Sequence, residues 1–415
     1  MLENTGYGPS SRRRGSGNML THAIMAVVGA ALATVLLLAF YNPGSGGSGM
    51  SLPGSGAVPA PGAQSAPLSG GEQAIVTKVK PGLVLINTTL QYASEAAAGT
   101  GMVINANGLV LTNNHVINGS TKITATVAST GAAYPATVVG YDKTRDIALI
   151  QLQDASGLAT IPVGNSSLVK AGQPVVAMGN AGGRGTVRVS AGQVTKLNLT
   201  ITASDQEVSP APEILHGVIQ TNADIVAGYS GGPLSDSGGV IGMDTAGGNS
   251  GYPRQAVGFA IPINTALSVA RQIAAGRASS AITIGYPPFT GIFTGAGSDP
   301  SPRNQAGQQA QQPFAPSPGS ACSTTNADLT APPAIAPVSS GALVEGTICG
   351  SPAARAGLGG GAVITAVNGR PVRSPDGLTG IMAGFHPGDT ASVTWVSPSG
   401  QRKTSRIRLT AGPPQ

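Results

Sequence analysis

The sequence predicts a mainly β protein with two folded parts. Short runs of branched apolar residues, "GLVLTNNHVI" at 108–117 and "TRDIALIQL" at 144–152 among them, have the length of strands and end in turn residues. The 415 residues leave room for one domain of about 200 residues and a second of about 100. The 61 Gly and 32 Pro concentrate outside those runs, as they do in chains whose folded parts are separated by connectors.

From the N-terminus, Met19–Phe40 is an uncharged apolar run long enough to span a bilayer as a helix, and Arg12, Arg13 and Arg14 precede it. Positive charge stays cytoplasmic, so residues 1–18 are expected inside, 19–41 across the membrane and the bulk of the chain beyond it, on the periplasmic or cell-wall side. A cleaved signal peptide is the rival; the run exceeds a usual signal core and "YNPGSGG" is a poor cleavage site. Residues 42–71 have no apolar period and read as a flexible Gly/Ser/Pro linker. The first folded part is expected over 72–278, closed by a helix in "NTALSVARQIAAG" with Asn264 as cap and Gly276 as stop. Over 279–412 apolar runs alternate with turns and one short helical stretch near Ser351. A biased tract interrupts this second part as a disordered insertion at about 294–337.

Chemistry enters through "VAGYSGGPL" at 226–234, a serine among glycines where neither helix nor strand is favoured. A nucleophilic serine suits an exposed turn with two N–H groups aimed at a developing oxyanion, and Gly228 and Ser230 are placed to supply them. The same string also suits an ordinary surface turn, so partners must decide. Of four histidines, His22 lies in the apolar run and His386 far downstream. His115 ends a strand-like run and is preferred as base over His216, which sits in a Pro-rich stretch. Asp146, directly before an alternating apolar run, is preferred as its orienter over Asp142 and Asp154. The order His115, Asp146, Ser230 is one of several that Ser-His-Asp enzymes use.

The chain resembles the HtrA/DegP serine proteases through "GTGMVI", "LTNNHVI", "RDIALIQL" and "TNADIVAGYSGGPL". The resemblance implies a trypsin-like double six-stranded β-barrel with His115, Asp146 and Ser230 as triad and the Gly228 and Ser230 amides as oxyanion hole. It further implies an α+β PDZ domain, carried by "GSPAARAGL" and "ITAVNGRPV", that takes C-terminal or extended peptides through a loop of Phe289, Thr290, Gly291 and Ile292. Mere packing of that domain on the protease is the other reading. Two departures stand out. Tyr229 precedes the serine where the family has asparagine, so its ring is expected beside the oxyanion loop or over the cleft; activation then falls to loops such as "GNAGGRG" and "DQEVSPAPEI". Asp224 occupies the place of a specificity-pocket floor, where a buried carboxylate would select a basic side chain. A wall near Phe259 and Ile261 selecting aliphatic residues is the default.

The expected function is a membrane-anchored, PDZ-regulated endopeptidase acting on exposed or misfolded polypeptides, with homotrimers usual in the family. A chaperone-like or scaffolding protein with a resting protease fold is the alternative. The net charge of +6 comes partly from the arginine cluster and shows no basic stripe interleaved with aromatics, so nucleic acid is not implied. No metal-ligand spacing or phosphate-binding loop appears, and no cofactor is expected. Cys322 and Cys349 fall in one domain and would pair in an oxidising compartment, two free thiols being the alternative.

Overall fold

The computed structural model describes residues 67–93, 95–203, 213–245, 257–294, 322–325, 332 and 334–414. The expected spanning run at 19–41, most of the linker, most of "DQEVSPAPEI" and much of the tract at 294–337 lie outside them. Among the described residues no helix is long and apolar enough to cross a membrane.

The chain enters on α1 (Gly70–Val79), whose start is fixed by a capping box: the Ser69 hydroxyl accepts from the Glu72 amide while the Glu72 carboxylate accepts from the Ser69 amide. Gly70 and Gly71, assigned to the linker, therefore belong to the fold. The first barrel follows, with β1 (Leu83–Leu90), β2 (Glu95–Asn105), β3 (Leu109–Thr112), a one-turn helix α2 (Asn114–Ile117), β4 (Lys122–Val127), β5 (Ala133–Asp142) and β6 (Ile147–Leu152). Its order β5-β4-β1-β2-β3-β6 closes through pairing of β5 with β6. The second barrel, β7 (Pro174–Gly179), β8 (Arg188–Ala203), β9 (Glu213–Thr221), β10 (Pro233–Asp236), β11 (Gly239–Thr245) and β12 (Gly258–Pro262), closes in the order β10-β11-β12-β9-β8-β7. This is the double six-stranded barrel that the resemblance implied.

The strand pattern explains how two barrels share one core. In β6, Ile147 and Leu149 point between the barrels while Ala148, Ile150 and Leu152 fill the first barrel, so period-2 alternation buries both faces. Met102 and Leu111 join the inter-barrel layer from the first barrel; Val176, Met178, Met243 and Ile261 join it from the second. Each such fully buried side chain contributes about 2 kcal/mol.

Helix α3 (Ile263–Ala274) seals this layer with Ala266, Val269, Ala270 and Ile273. Asn264 is not its cap: the helix starts one residue earlier, after Pro262, and the Asn264 amide side chain donates to Asn165 Oδ1 at 2.8 Å. Gly276 does end it, in the left-handed conformation with φ +67°. Strand β13 (Ile282–Ile284) then pairs with β5, so the first barrel's sheet continues past the expected boundary at 278.

The C-terminal part comprises β14 (Pro288–Phe289), β15 (Ile292–Thr294), β16 (Ala342–Thr347), α4 (Pro352–Arg355), β17 (Val363–Val367), β18 (Arg370–Pro371), α5 (Pro375–Met382), β19 (Thr390–Val396), β20 (Arg402–Arg408) and β21 (Thr410–Ala411). Its main sheet runs β15-β16-β17-β19-β20 around buried Trp395, with β15 and β20 at the edges. The tract read as a disordered insertion is anchored at two places. Cys322 is disulfide-bonded to Cys349, and Ser323 donates its amide to the Thr347 carbonyl at 2.8 Å. Ala336 is buried against Val363 and Val396. The two parts of the chain touch where the Tyr92 and Phe289 rings stack at 5.5 Å and the Gly119 amide donates to the Pro414 carbonyl at 2.8 Å.

Candidate active site

Between β5 and β6 the chain must reverse within four residues, and Asp142 builds that turn. Its Oδ1 accepts from the Thr144 and Arg145 amides and the Thr144 hydroxyl, and its Oδ2 from the Arg145 guanidinium at 2.7 Å. The carboxylate passed over as an orienter is thus the scaffold that presents Asp146. Asp154, the other one, is exposed after β6.

Asp146 itself is fully buried and adopts a left-handed φ of +53°, a conformation that non-glycine residues rarely hold without support. The support is visible. Its carbonyl accepts from the Asn113 side chain at 2.8 Å, its Oδ1 from the His115 amide at 3.0 Å, and its Oδ2 from the Thr245 hydroxyl at 2.9 Å. Against Oδ2 also lies His115 Nδ1 at 2.9 Å. A carboxylate only accepts, so Nδ1 donates, and this fixes the imidazole's tautomer and orientation. β3 ends at Thr112 and hands His115 to α2, where the ring is largely but not wholly covered. His216 is elsewhere, exposed on β9 beside the Thr200 hydroxyl.

Ser230 lies in the loop before β10, half-buried. Its carbonyl accepts from the Thr100 amide at 2.9 Å, and a side chain at neighbouring Gly99 would collide with Val116 of α2 and crowd the Ser230 carbonyl. The Ser230 loop and the helix that carries His115 therefore close on the same two residues of β2. Gly228 has φ +92°, and a Cβ there would stand 2.0 Å from the Asn180 carbonyl oxygen. Only glycine fits. Its carbonyl is held by the Thr100 hydroxyl at 2.7 Å and the Asn180 amide at 3.2 Å, whereas the N–H groups of Gly228 and Ser230 meet no acceptor among the described residues.

Strand β11 ties the halves together. The Asp244 backbone accepts from the Gly231 amide at 2.9 Å and donates to the Gly232 carbonyl at 2.7 Å, while the next residue, Thr245, reaches Asp146 in the other barrel's turn. Thr100, Asn113 and Thr245 were missed by sequence reasoning; a polar pair ending the apolar run "VIGMDT" is the one local signal for the last. Tyr229 is 3% exposed and packs inside the second barrel with Ile225, Leu234 and Ala260, so it does not cover the cleft. Burial raises its phenol to about 12, with the Asp244 charge adding to this.

Asp224 is exposed and donates its amide to Ser190 Oγ at 2.7 Å. The electrostatic reason for a cation-selecting floor, a carboxylate held in a dry pocket, is absent. Ile261 packs in the inter-barrel core rather than on an open wall. Phe259 is buried against Leu215 and Val218, opposite Thr245 across the β11–β12 ladder. Of the loop expected to take a carboxylate, Phe289 stacks on Tyr92, the carbonyls of Thr290 and Gly291 accept from the Ala353 and Ile348 amides, and Ile292 begins edge strand β15. Among the described residues no cluster of His, Cys, Asp and Glu is arranged to hold a metal ion.

Residues 99–243 match the family model of the trypsin-like peptidase domain. Serine protease PepD of Mycobacterium tuberculosis (strain ATCC 25618 / H37Rv) is 32% identical over 413 residues, 95% of this chain and 76% of that protein. The periplasmic pH-dependent serine endoprotease DegQ of Escherichia coli (strain K12) is 33% identical over 296 residues, 70% of this chain and 54% of that protein. The chain thus spans about three quarters of one relative and about half of the other. A solved HtrA-type protease, AlgW with tripeptide, is 24% identical with a TM-score of 0.43, covering 83% of this chain and 98% of that one.

Proposed function

Since the chain belongs to the HtrA/DegP-type serine proteases and is a serine endopeptidase, we propose that Ser230 is its nucleophile, His115 the general base, Asp146 the orienting carboxylate, and the Gly228 and Ser230 amides the oxyanion hole. The observation that carries this reading is the 2.9 Å contact of His115 Nδ1 with a buried, multiply held Asp146. With Nδ1 so committed, Nε2 takes the Ser230 hydroxyl proton as Oγ bonds to the substrate carbonyl carbon. His115 then returns that proton to the leaving amine as the C–N bond breaks, and water repeats the cycle on the ester. Two glycine-loop amides that meet no acceptor among the described residues are what the tetrahedral oxyanion needs.

In this reading the substrates are exposed or misfolded polypeptides outside the cytoplasm. The Cys322–Cys349 disulfide supports an oxidising compartment, and several relatives are named as periplasmic proteases. Residues 19–41 anchor the chain in the membrane, which carbonate extraction and protease shaving of intact cells test. The C-terminal part is a PDZ domain that receives C-terminal or extended peptides along β15, at the Phe289–Ile292 loop; the edge position of β15 supports addition of a strand. The assembly is a homotrimer, which light scattering on the eluting peak tests.

The decisive experiment is casein digestion by wild type and Ser230→Ala. Loss of roughly three to six orders of magnitude is the expected result. Equal cleavage defeats the assignment.

A further inference from the structure

Inside the second barrel lies a carboxyl group that hydrolysis does not call on. Asp244 is fully buried, and both of its oxygens lack a hydrogen-bond partner among the described residues. Directly opposite it on β12 is Ala260, and the same barrel interior holds Tyr229, Leu234 and Ala177. Groups without a compensating partner are costly in such surroundings, the ionised form far more than the neutral acid. The position is also special. The Asp244 backbone holds Gly231 and Gly232 through two hydrogen bonds, and Tyr229 joins Gly228 to Ser230, with its amide on the Val226 carbonyl at 3.0 Å. A change in the Asp244 side chain therefore acts on the loop that carries Ser230.

We propose that Asp244 is a proton-gated positioning residue for the Ser230 loop: as the neutral acid it lets β11 close on Gly231 and Gly232, and as the carboxylate it pulls the loop out of register. An ionised Asp244 has two routes to solvation, a break in the β11 ladder that admits water or an outward swing of Tyr229, and both disturb the Gly228–Ser230 amides. Burial is the cause that keeps the proton on Asp244, well above the ordinary carboxylate range. The other ionisable groups felt at Tyr229 are Arg188 at the start of β8 and Asp224 ahead of the loop; β12 and β7 contribute alanines. Thr245, the next residue along β11, faces the other way and donates to Asp146. Activity then has an alkaline limb that belongs to Asp244 and not to the His115–Asp146 pair.

The inference rests on Ser230 being the nucleophile, and the test separates the two. Covalent labelling by a fluorophosphonate is measured from about pH 6 to about pH 10 for wild type, Asp244→Asn, Tyr229→Phe and Ser230→Ala, with Tm recorded at each pH. Asp244→Asn, which keeps shape and cannot ionise, should retain at least about a third of the labelling rate at neutral pH and exceed wild type about fivefold or more near pH 9.5. Its Tm should gain on wild type as pH rises, and Tyr229→Phe should keep the wild-type limb. Asp244→Asn profiles that superimpose on wild type within about twofold overturn the proposal. So does a folded Asp244→Asn protein inert at every pH, or removal of the limb by Tyr229→Phe. If Ser230→Ala still labels, the nucleophile assignment fails instead, and the Tm comparison continues to report on Asp244.

Discussion

At the scale of single residues, the site depends on donors that surround one carboxylate. Thr245→Val removes the hydroxyl donated to Asp146 Oδ2 while keeping shape. A hydrogen bond to a charged group is worth about 2 kcal/mol, which predicts roughly a thirtyfold fall in kcat with little change in KM. Thr245→Ser should restore most of it, and steady-state kinetics on a peptide substrate check both. Asp244 makes a second residue-level prediction, in stability. Its folded-state proton affinity lies well above the ordinary value of 3.8 that the unfolded chain shows. The unfolded state therefore binds fewer protons over the interval between the two. Stability contributed by the protonated form is complete below about pH 4 and is lost as pH rises toward the folded-state value, by about 1.4 kcal/mol per unit. Asp244→Asn removes that slope, and denaturation midpoints across neutral pH measure it. That Asp146 is the aspartate lying against His115 agrees with the expectation from "TRDIALIQL"; that Thr245 completes the cage was not legible, because it lies in a distant strand.

At the scale of elements, the loop from Gly228 to Gly232 is held by backbone geometry rather than by side chains. Gly228→Ala places a Cβ 2.0 Å from the Asn180 carbonyl at φ +92°, so the peptide must rotate and one of the two proposed oxyanion donors is lost. Activity should fall about a hundredfold or more while the His115–Asp146 contact survives. Peptide hydrolysis together with the His115 Nδ1–H proton resonance separates those two effects. In the C-terminal part, the Cys322–Cys349 bond closes a sequence separation of 27 residues. By loop entropy it stabilises by about 3.5 kcal/mol. Replacing both cysteines by serine should lower the denaturation midpoint of that part by a corresponding amount, leaving the barrels' transition in place. Glycine-rich spacing announced the turn around Ser230, and Gly276 announced the end of α3. The helix start was misread at Asn264 because the capping preference is local, while the side chain was claimed by Asn165 from a distant loop.

At the scale of the molecule, several contacts among the described residues join the first barrel to the C-terminal sheet and the stretch that leads to it. β13 extends the first barrel's sheet, the Tyr92 and Phe289 rings stack nearly parallel, and the Pro414 carbonyl reaches Gly119 just beyond α2. Phe289→Ala removes a half-buried ring contact worth about 1 kcal/mol beyond its area. The expected outcome is faster amide exchange across 287–294 and 410–414, with exchange in β7–β12 unchanged, measured by mass spectrometry. Faster exchange throughout both barrels would instead mean that the contact supports the whole fold.

The sequence by itself determined the class of fold and nominated the groups proposed to react, since period-2 burial and a glycine-bracketed serine are properties of neighbouring residues. Ile147 through Leu152 alternate whatever surrounds them, and a Gly-Tyr-Ser-Gly-Gly turn excludes helix and strand alike. Only the tertiary structure decided what each group faces. Closing β10 to β12 into a barrel turned Asp244 inward beside Tyr229 and Thr245 outward to Asp146, left Asp224 exposed, and drew Ile261 into the layer between barrels. Burial and hydrogen bonding depend on which strands meet, and strands distant in the chain meet only when the sheets close.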